Sequence, residues 1–149
     1  MRNLLASLVA ALCLFAVMAA YSADPPLQVA VLENSPPMAF RDADGRLTGF
    51  SVEIARALCT EMQVQCEFQV TVLGRLVDAL AGGEFDIAAV SLLDTPERRQ
   101  RILFAQPYFR SITLWYAKPG VEPGKHGLRV AVVKGSAQET YARKQGWDT

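Results

Sequence analysis

The sequence predicts an α/β fold organised around a parallel sheet, and three observations carry that prediction. Apolar runs of strand length stand at Leu27–Leu32, at 67–72 and at 85–90, separated by two helical stretches. Each run is punctuated by turn formers, with Pro25-Pro26 and Pro36-Pro37 around the first and Gly82-Gly83 before the third. Strand–helix–strand–helix–strand with buried strands means parallel pairing, with helices covering both faces.

The elements follow in order. After the first strand, residues 38–41 and 46–48 flank Asp42-Ala43-Asp44-Gly45, a hairpin turn. A calcium loop would need further acidic ligands at fixed spacing, which this tip lacks. Ser51 is placed to cap the next helix. In that helix Ile54, Leu58 and Met62 recur every four residues with Ala55 beside them, an apolar face for the sheet. A short helix over 75–81 stops at Gly82-Gly83. Beyond the third strand, 102–104 and 112–117 read as extended segments separated by Pro107, and 118–127 as a Pro/Gly-rich connection. Residues 129–133 read as a strand, Gly135 as a turn, and Ser136 as the cap of a helix reaching about Gln145.

The N-terminus has the layout of a secretory signal. Arg2 is the only charge before Asp24, and an apolar run over 4–20 is followed by small residues, which puts cleavage between Ala19 and Ala23. The alternative, an uncleaved anchor, needs a longer run. Cys13 follows Leu12, too large for a lipoprotein processing site, so it reads as part of the signal. Without Arg2, 15 basic residues become 14 against 15 acidic ones, so the mature chain is near neutral. That balance offers no basic stripe for nucleic acid and no polybasic segment for a membrane surface. Cys59 and Cys66 are then an even pair in an exported chain, which predicts a disulfide from the end of a helix to the following strand. A metal site is the weaker alternative, because only His126, far along the chain, adds a nitrogen ligand.

The chemistry concentrates at Ser91-Leu92-Leu93-Asp94-Thr95-Pro96-Glu97-Arg98, directly after the third strand. Thr95 suits the N-cap, Pro96 the first helical position, and Glu97 the positive end of the helix. Arg98 in that first turn adds a fork of donors matched to a carboxylate. A receptor for a small carboxylate at the carboxyl end of a strand follows, where open α/β sheets place ligands. The competing reading is a surface arginine paired with Glu97 or Asp94. Other candidates fail: Gly120 to His126 lacks the phosphate-loop spacing, and no Gly-x-Ser-x-Gly elbow occurs. Trp115-Tyr116 reads as strand packing, His126 as a solvated loop residue, and Arg98-Arg99 with Arg101 as a partly solvated helix face.

Four motifs in order carry a family resemblance. Pro36-Pro37-Met38-Ala39-Phe40 comes first, then Gly45-Arg46-Leu47-Thr48-Gly49-Phe50-Ser51-Val52-Glu53-Ile54-Ala55. Thr95-Pro96-Glu97-Arg98 with Phe104-Ala105-Gln106-Pro107-Tyr108-Phe109 is third, and Arg129-Val130-Ala131-Val132-Val133-Lys134-Gly135-Ser136 is fourth. Together they resemble the amino-acid-type periplasmic solute-binding proteins, family 3, over nearly everything after residue 26. The Cys59/Cys66 spacing is similar to the histidine-binding and lysine/arginine/ornithine-binding members.

The resemblance implies a two-lobed type II periplasmic-binding-protein fold, with a signal peptide over 1–23, lobe one over 24–110 and the beginning of lobe two over 111–149. It implies that Arg98 holds a ligand α-carboxylate, with Ser35, Leu73, Ser91 and Leu93 from lobe one and Ser136, Ala137 and Gln138 from lobe two around the ligand. Leu93 and Ala137 replace residues that usually carry hydroxyls, Asp94 replaces an apolar one, and Ser35 stands where several members use an aromatic. The acidic partner of a ligand ammonium group would fall beyond Thr149, so the expectation is a chain truncated at its C-terminus; a natural minimal domain is the alternative. The implied function is a periplasmic, monomeric receptor that captures a small carboxylate such as an amino acid for an ABC importer, without cofactor, metal or chemistry. Alternatives on the same fold are the sensing ectodomain of a membrane signalling protein, a dehydratase, or the accessory domain of a peptidoglycan lyase.

Overall fold

The computed structural model describes residues 24–149 apart from Glu33, Pro123 and His126, so the signal segment with Cys13 and the reading of His126 lie outside the described residues. Strand β1 (Leu27–Leu32) is followed by a hairpin of β2 (Phe40–Arg41) and β3 (Leu47–Thr48), then helix α1 (Phe50–Glu61) and β4 (Cys66–Thr71). Helix α2 (Leu73–Ala81), β5 (Ile87–Ala88), the single turn α3 (Pro96–Arg99) and α4 (Ala137–Lys144) complete the order.

β1 is the middle of a parallel sheet ordered β4-β1-β5. The connection from β4 to β5 must therefore pass over β1, and its helix covers the face that α1 leaves open. Side chains alternate across a strand, so β1 feeds both layers. Val29 and Val31 pack with Val52 and Ala55 of α1, and Ala30 packs with Leu76 and Ala79 of α2 and with Phe85.

The buried face of α1 is not the one its larger apolar residues suggest. Ser51, Val52, Ala55 and Cys59 are buried, whereas Leu58 is 55% and Met62 54% exposed and Ile54 is half-buried. Cys59 bonds to Cys66 at the start of β4 with Cα atoms 6.2 Å apart, as the cysteine count predicts. That bond fixes which side of the helix meets the sheet, and Ala55 and Val52, one and two turns back, lie on the same stripe. Leu58, one position round, is turned away. The small side chains also let the helix lie close on Val29 and Val31.

Ser51 is not the cap. The N-cap is Gly49, and carbonyls of the turn before β2 accept the first amides, Phe50 N–H to Pro37 O at 3.0 Å and Ser51 N–H to Met38 O at 2.9 Å. A Cβ on Gly49, whose φ is +120°, would sit 2.5 Å from Met38 O, so the approach requires glycine. Ser51 is buried in the first turn, its hydroxyl without a partner among the described residues. At the hairpin tip Asp42 Oδ1 accepts from the amides of Asp44 (3.0 Å) and Arg46 (2.9 Å), an Asx turn rather than a cation loop.

The expected third strand is shorter than its apolar run, and the segments 102–104, 112–117 and 129–133 form no strand; the last retains one bridge, Arg129 to Asp148. β-rich composition makes a strand only where a partner supplies the ladder. Leu103, Ile112 and Tyr116 are instead 98%, 82% and 88% exposed. The Trp115 and Trp147 rings meet tilted by 60° with centres 5.1 Å apart, and Tyr141 and Trp147 meet in a T-shaped arrangement. Among the described residues no helix is long and apolar enough to cross a membrane, and no group of three or more His, Cys, Asp or Glu stands together.

Two outcomes are expected. Exported protein should be lighter than its reduced form by two hydrogens, and replacing both cysteines by serine should cost roughly 2.5 kcal/mol for so short a loop, read from denaturant melts. The exposed apolar segments should bind an apolar dye and drive association as concentration rises; a sharply melting monomer that ignores the dye would contradict this.

Candidate functional site

The site is built where β5 ends and the chain turns into α3. Thr95 adopts an extended conformation and its hydroxyl accepts the Arg98 amide at 3.3 Å, with Pro96 in the first turn, as the sequence predicts. Four residues make a single turn whose summed dipole is small, so the helix end contributes less to anion binding than expected. The guanidinium of Arg98 carries that role. Its Nη1 donates to Leu93 O at 2.7 Å and its Nη2 to Gly135 O at 3.0 Å, across 37 residues of chain.

The surrounding charges are neutralised without it. Asp94 pairs with Arg99, whose guanidinium also lies 5.7 Å from the centre of the Phe104 ring, and Arg101 holds Asp78 at 2.7 Å. Glu97 takes Lys144 Nζ at 2.7 Å. Arg98 therefore pairs with neither Asp94 nor Glu97, and among the described residues it meets only carbonyl oxygens. Burial lowers its pKa from the ordinary arginine value, opposed by the nearby Glu97 carboxylate. Such a group gains from an incoming carboxylate, because a partly desolvated cation recovers a charged partner.

The opposite wall is the turn before α4. Gly135 has φ +79°, and a Cβ there would lie 2.5 Å from Gly74 Cα, so only glycine lets this turn touch the start of α2. Ser136 caps α4 as expected, its Oγ accepting the Glu139 amide at 3.1 Å. Glu139 Oε2 accepts the Gly135 N–H at 2.6 Å, and Arg143 holds its other oxygen at 2.9 Å. The Gly135 amide, and next to it Arg143, hold the Glu139 carboxyl below the usual range.

The eight expected contact residues do not share one cavity. Ser91 and Leu93 line a cavity of about 730 Å³ formed mainly by residues of 86–94 and 102–111. Leu93, Ala137 and Gln138 line another of about 700 Å³ with Trp115, Tyr141 and Trp147. Gln138 Nε2 donates to Thr113 Oγ1 at 2.9 Å. Ser35 is half-buried and its backbone bridges Ala39, while Leu73 packs on the cluster around Leu76. Leu93 lines both cavities and Arg98 lines neither; its guanidinium links Leu93 O to Gly135 O beside them. Sequence reasoning placed Glu97 at the helix start but not its partner, and missed Lys144, Glu139 and Gly74. Ser136-x-x-Glu139 has the spacing of a capping box and points to Glu139; no local signal marks Lys144.

Comparison with known proteins follows this geometry. Residues 27–141 match the family model described as bacterial extracellular solute-binding proteins, family 3. The chain is similar to the L-arginine-binding protein of Pseudomonas aeruginosa, 30% identical over 127 residues, which are 82% of this chain and 49% of that protein. It is similar to the histidine-binding periplasmic protein of Escherichia coli, 31% identical over 151 residues, covering 97% of this chain and 58% of the other. Among solved structures, an ancestral arginine-binding protein bound to glutamine gives a TM-score of 0.56 at 30% identity, covering 58% of this chain and 38% of its own. An ancestral amino acid-binding protein, described as a precursor of cyclohexadienyl dehydratase, gives 0.54 at 36% identity, covering 56% and 37%. The chain spans about half the length of the curated relatives it matches.

The Glu97 carboxyl is held down to about 2, first by the Lys144 hydrogen bond, then by its own backbone amide and the Thr95 hydroxyl, and last by the charge of Lys144. A depressed carboxyl stabilises the fold above its unfolded value and loses that contribution as pH falls toward the folded one. The Lys144 contact should therefore weaken as pH falls from about 4.5 to about 2. A carboxyl-carbon NMR titration should place the Glu97 midpoint near the lower value and return it toward the upper one in Lys144→Ala; an unchanged midpoint would refute the pairing.

Proposed function

The chain belongs to the bacterial extracellular solute-binding proteins of family 3, and from that premise we propose that it is a periplasmic receptor whose Arg98 captures the carboxylate of a small solute, an amino acid in the first place, for delivery to an ABC importer. One observation carries this reading. Arg98 stands at the seam between the first-lobe sheet and the Gly135 turn, satisfied only by the carbonyls of Leu93 and Gly135, while Asp94 and Glu97 are neutralised by other cations. A carboxylate entering there exchanges two neutral acceptors for a charged one that the guanidinium fork can hold with two parallel bonds. The curated relatives are named for arginine and histidine, which supports an amino acid as the solute. Leu93 and the lobe-two residues Ala137 and Gln138 would border the remainder of the ligand, with Ser91 on the first-lobe side. Ser35, Leu73 and Ser136 would act through the backbone and core that shape the gap.

An enzyme on the same fold is the second reading, favoured by the neighbour described as a dehydratase precursor. Dehydration needs a positioned general acid. The carboxyls of Asp94, Glu97 and Glu139 are each held by a cation, which favours binding over turnover.

Titration calorimetry with L-arginine and L-histidine tests the proposal. Arg98→Ala should weaken binding by about 1.5–3 kcal/mol, the scale of a hydrogen bond to a charged group. Arg99→Ala, which loses a surface pair with Asp94 and a contact with the Phe104 ring, should change it by less than about 1 kcal/mol. Equal small losses would make Arg98 an ordinary surface arginine, and consumption of the titrant during the experiment would favour the enzyme.

A further inference from the structure

Helix α4 is held against the first-lobe body at both of its ends. At its N-terminal end Gly135 O accepts from Arg98 Nη2 at 3.0 Å, and the Gly135 backbone lies on Gly74 with no room for a Cβ. At its C-terminal end Lys144, the last helical residue, places Nζ 2.7 Å from Glu97 Oε1. Eight residues separate these ends by roughly 12 Å. Both contacts reach α3, through consecutive residues that point about 100° apart around a helix. One contact alone would leave α4 free to swing about it; two define its orientation.

The charges around this junction single out one pair. Arg143 is held by Glu139 within α4, Arg99 by Asp94 beside α3, and Arg101 by Asp78 of α2. Among the described residues, Glu97–Lys144 is the one ion pair that crosses from residues 24–110 to residues 111–149. Lys144 also sits at the helix end that favours a cation.

We propose that Glu97 and Lys144 form a closure strap, a positioning pair that orients α4 over Arg98 before ligand arrives and so sets the gap a carboxylate must enter. The proposal rests on Arg98 being the carboxylate site. The Arg98–Gly135 bond occupies the ligand position and is broken by the ligand; the strap lies beside that position and survives binding. It therefore holds the C-terminal end of α4, while the Gly135–Gly74 packing holds the other end, as the carboxylate displaces Gly135 O. An exposed pair contributes little to global stability, but closure is a balance between open and closed forms, and the same small energy shifts that balance roughly two- to fivefold.

The test is a double-variant cycle of Glu97→Gln, Lys144→Gln and both together, with each change read on the opposite helix by hydrogen exchange. Lys144→Gln should speed exchange of the Arg98 and Arg99 amides, and Glu97→Gln that of the α4 amides, each roughly two- to fivefold. The double variant should exchange no faster than the more affected single variant. Unchanged exchange on the opposite helix, or effects that simply multiply, would overturn the strap. A parallel L-arginine titration separates the two proposals. If wild-type protein binds, the dissociation constant should rise by a similar factor in each single variant, and an unchanged constant would overturn the strap's role in binding. If wild-type protein does not bind L-arginine, the capture of that solute falls, while the exchange cycle still decides the strap.

Discussion

The structure depends on β1 being paired on both sides. Its six residues match Cys66–Thr71 of β4 along one edge and meet Ile87 and Ala88 of β5 along the other, all in parallel. A central parallel strand has no solvated face, so Val29, Ala30 and Val31 are all fully buried. Two consequences follow from geometry. The helices must lie on opposite faces, because the second crossover passes over β1. The carboxyl ends of β1 and β5 also lie side by side, the end of an open parallel sheet where ligands bind, and Leu93 and Arg98 follow β5 there.

Charge at the seam is organised by subtraction. Carboxylates and cations near α3 are matched in pairs, Asp94 with Arg99, Glu97 with Lys144, and Asp78 with Arg101. What remains is a partly buried guanidinium with only carbonyl partners. An arginine in that state is costly unless a stronger acceptor arrives, whereas a paired surface arginine gains little from one. The distinction between Arg98 and Arg99 is therefore one of surroundings, since the two are adjacent and chemically identical.

Glycine at the seam controls distance rather than chemistry. Gly74 at the start of α2 and Gly135 before α4 bring backbone against backbone, and this brings Gly135 O within reach of Arg98. A side chain at Gly135 would collide with the Gly74 backbone and push the two parts of the chain apart, whereas a Cβ on Gly74 would make only ordinary contact with Lys134.

Much of this was legible in the sequence, because it is decided over a few residues. The caps Thr95 and Ser136, Pro96 in the first turn, the hairpin at Asp42 to Gly45, the Cys59–Cys66 bond and the strand–helix alternation all follow from local chemistry and spacing. So did the place of Arg98 in the first turn of α3. Tertiary structure alone decided which face of α1 is buried, since Leu58 and Met62 satisfy the periodicity equally well and lost to the stripe that the disulfide turns inward. It likewise replaced Ser51 by Gly49 as the cap, because the carbonyls of Pro37 and Met38 come from another part of the chain. It denied strands to 102–104, 112–117 and 129–133, where composition favours extension but no partner supplies a ladder. And it joined Glu97 to Lys144 across 47 residues, a pairing invisible to any local pattern because surface charges find their partners only once the backbone has set them side by side.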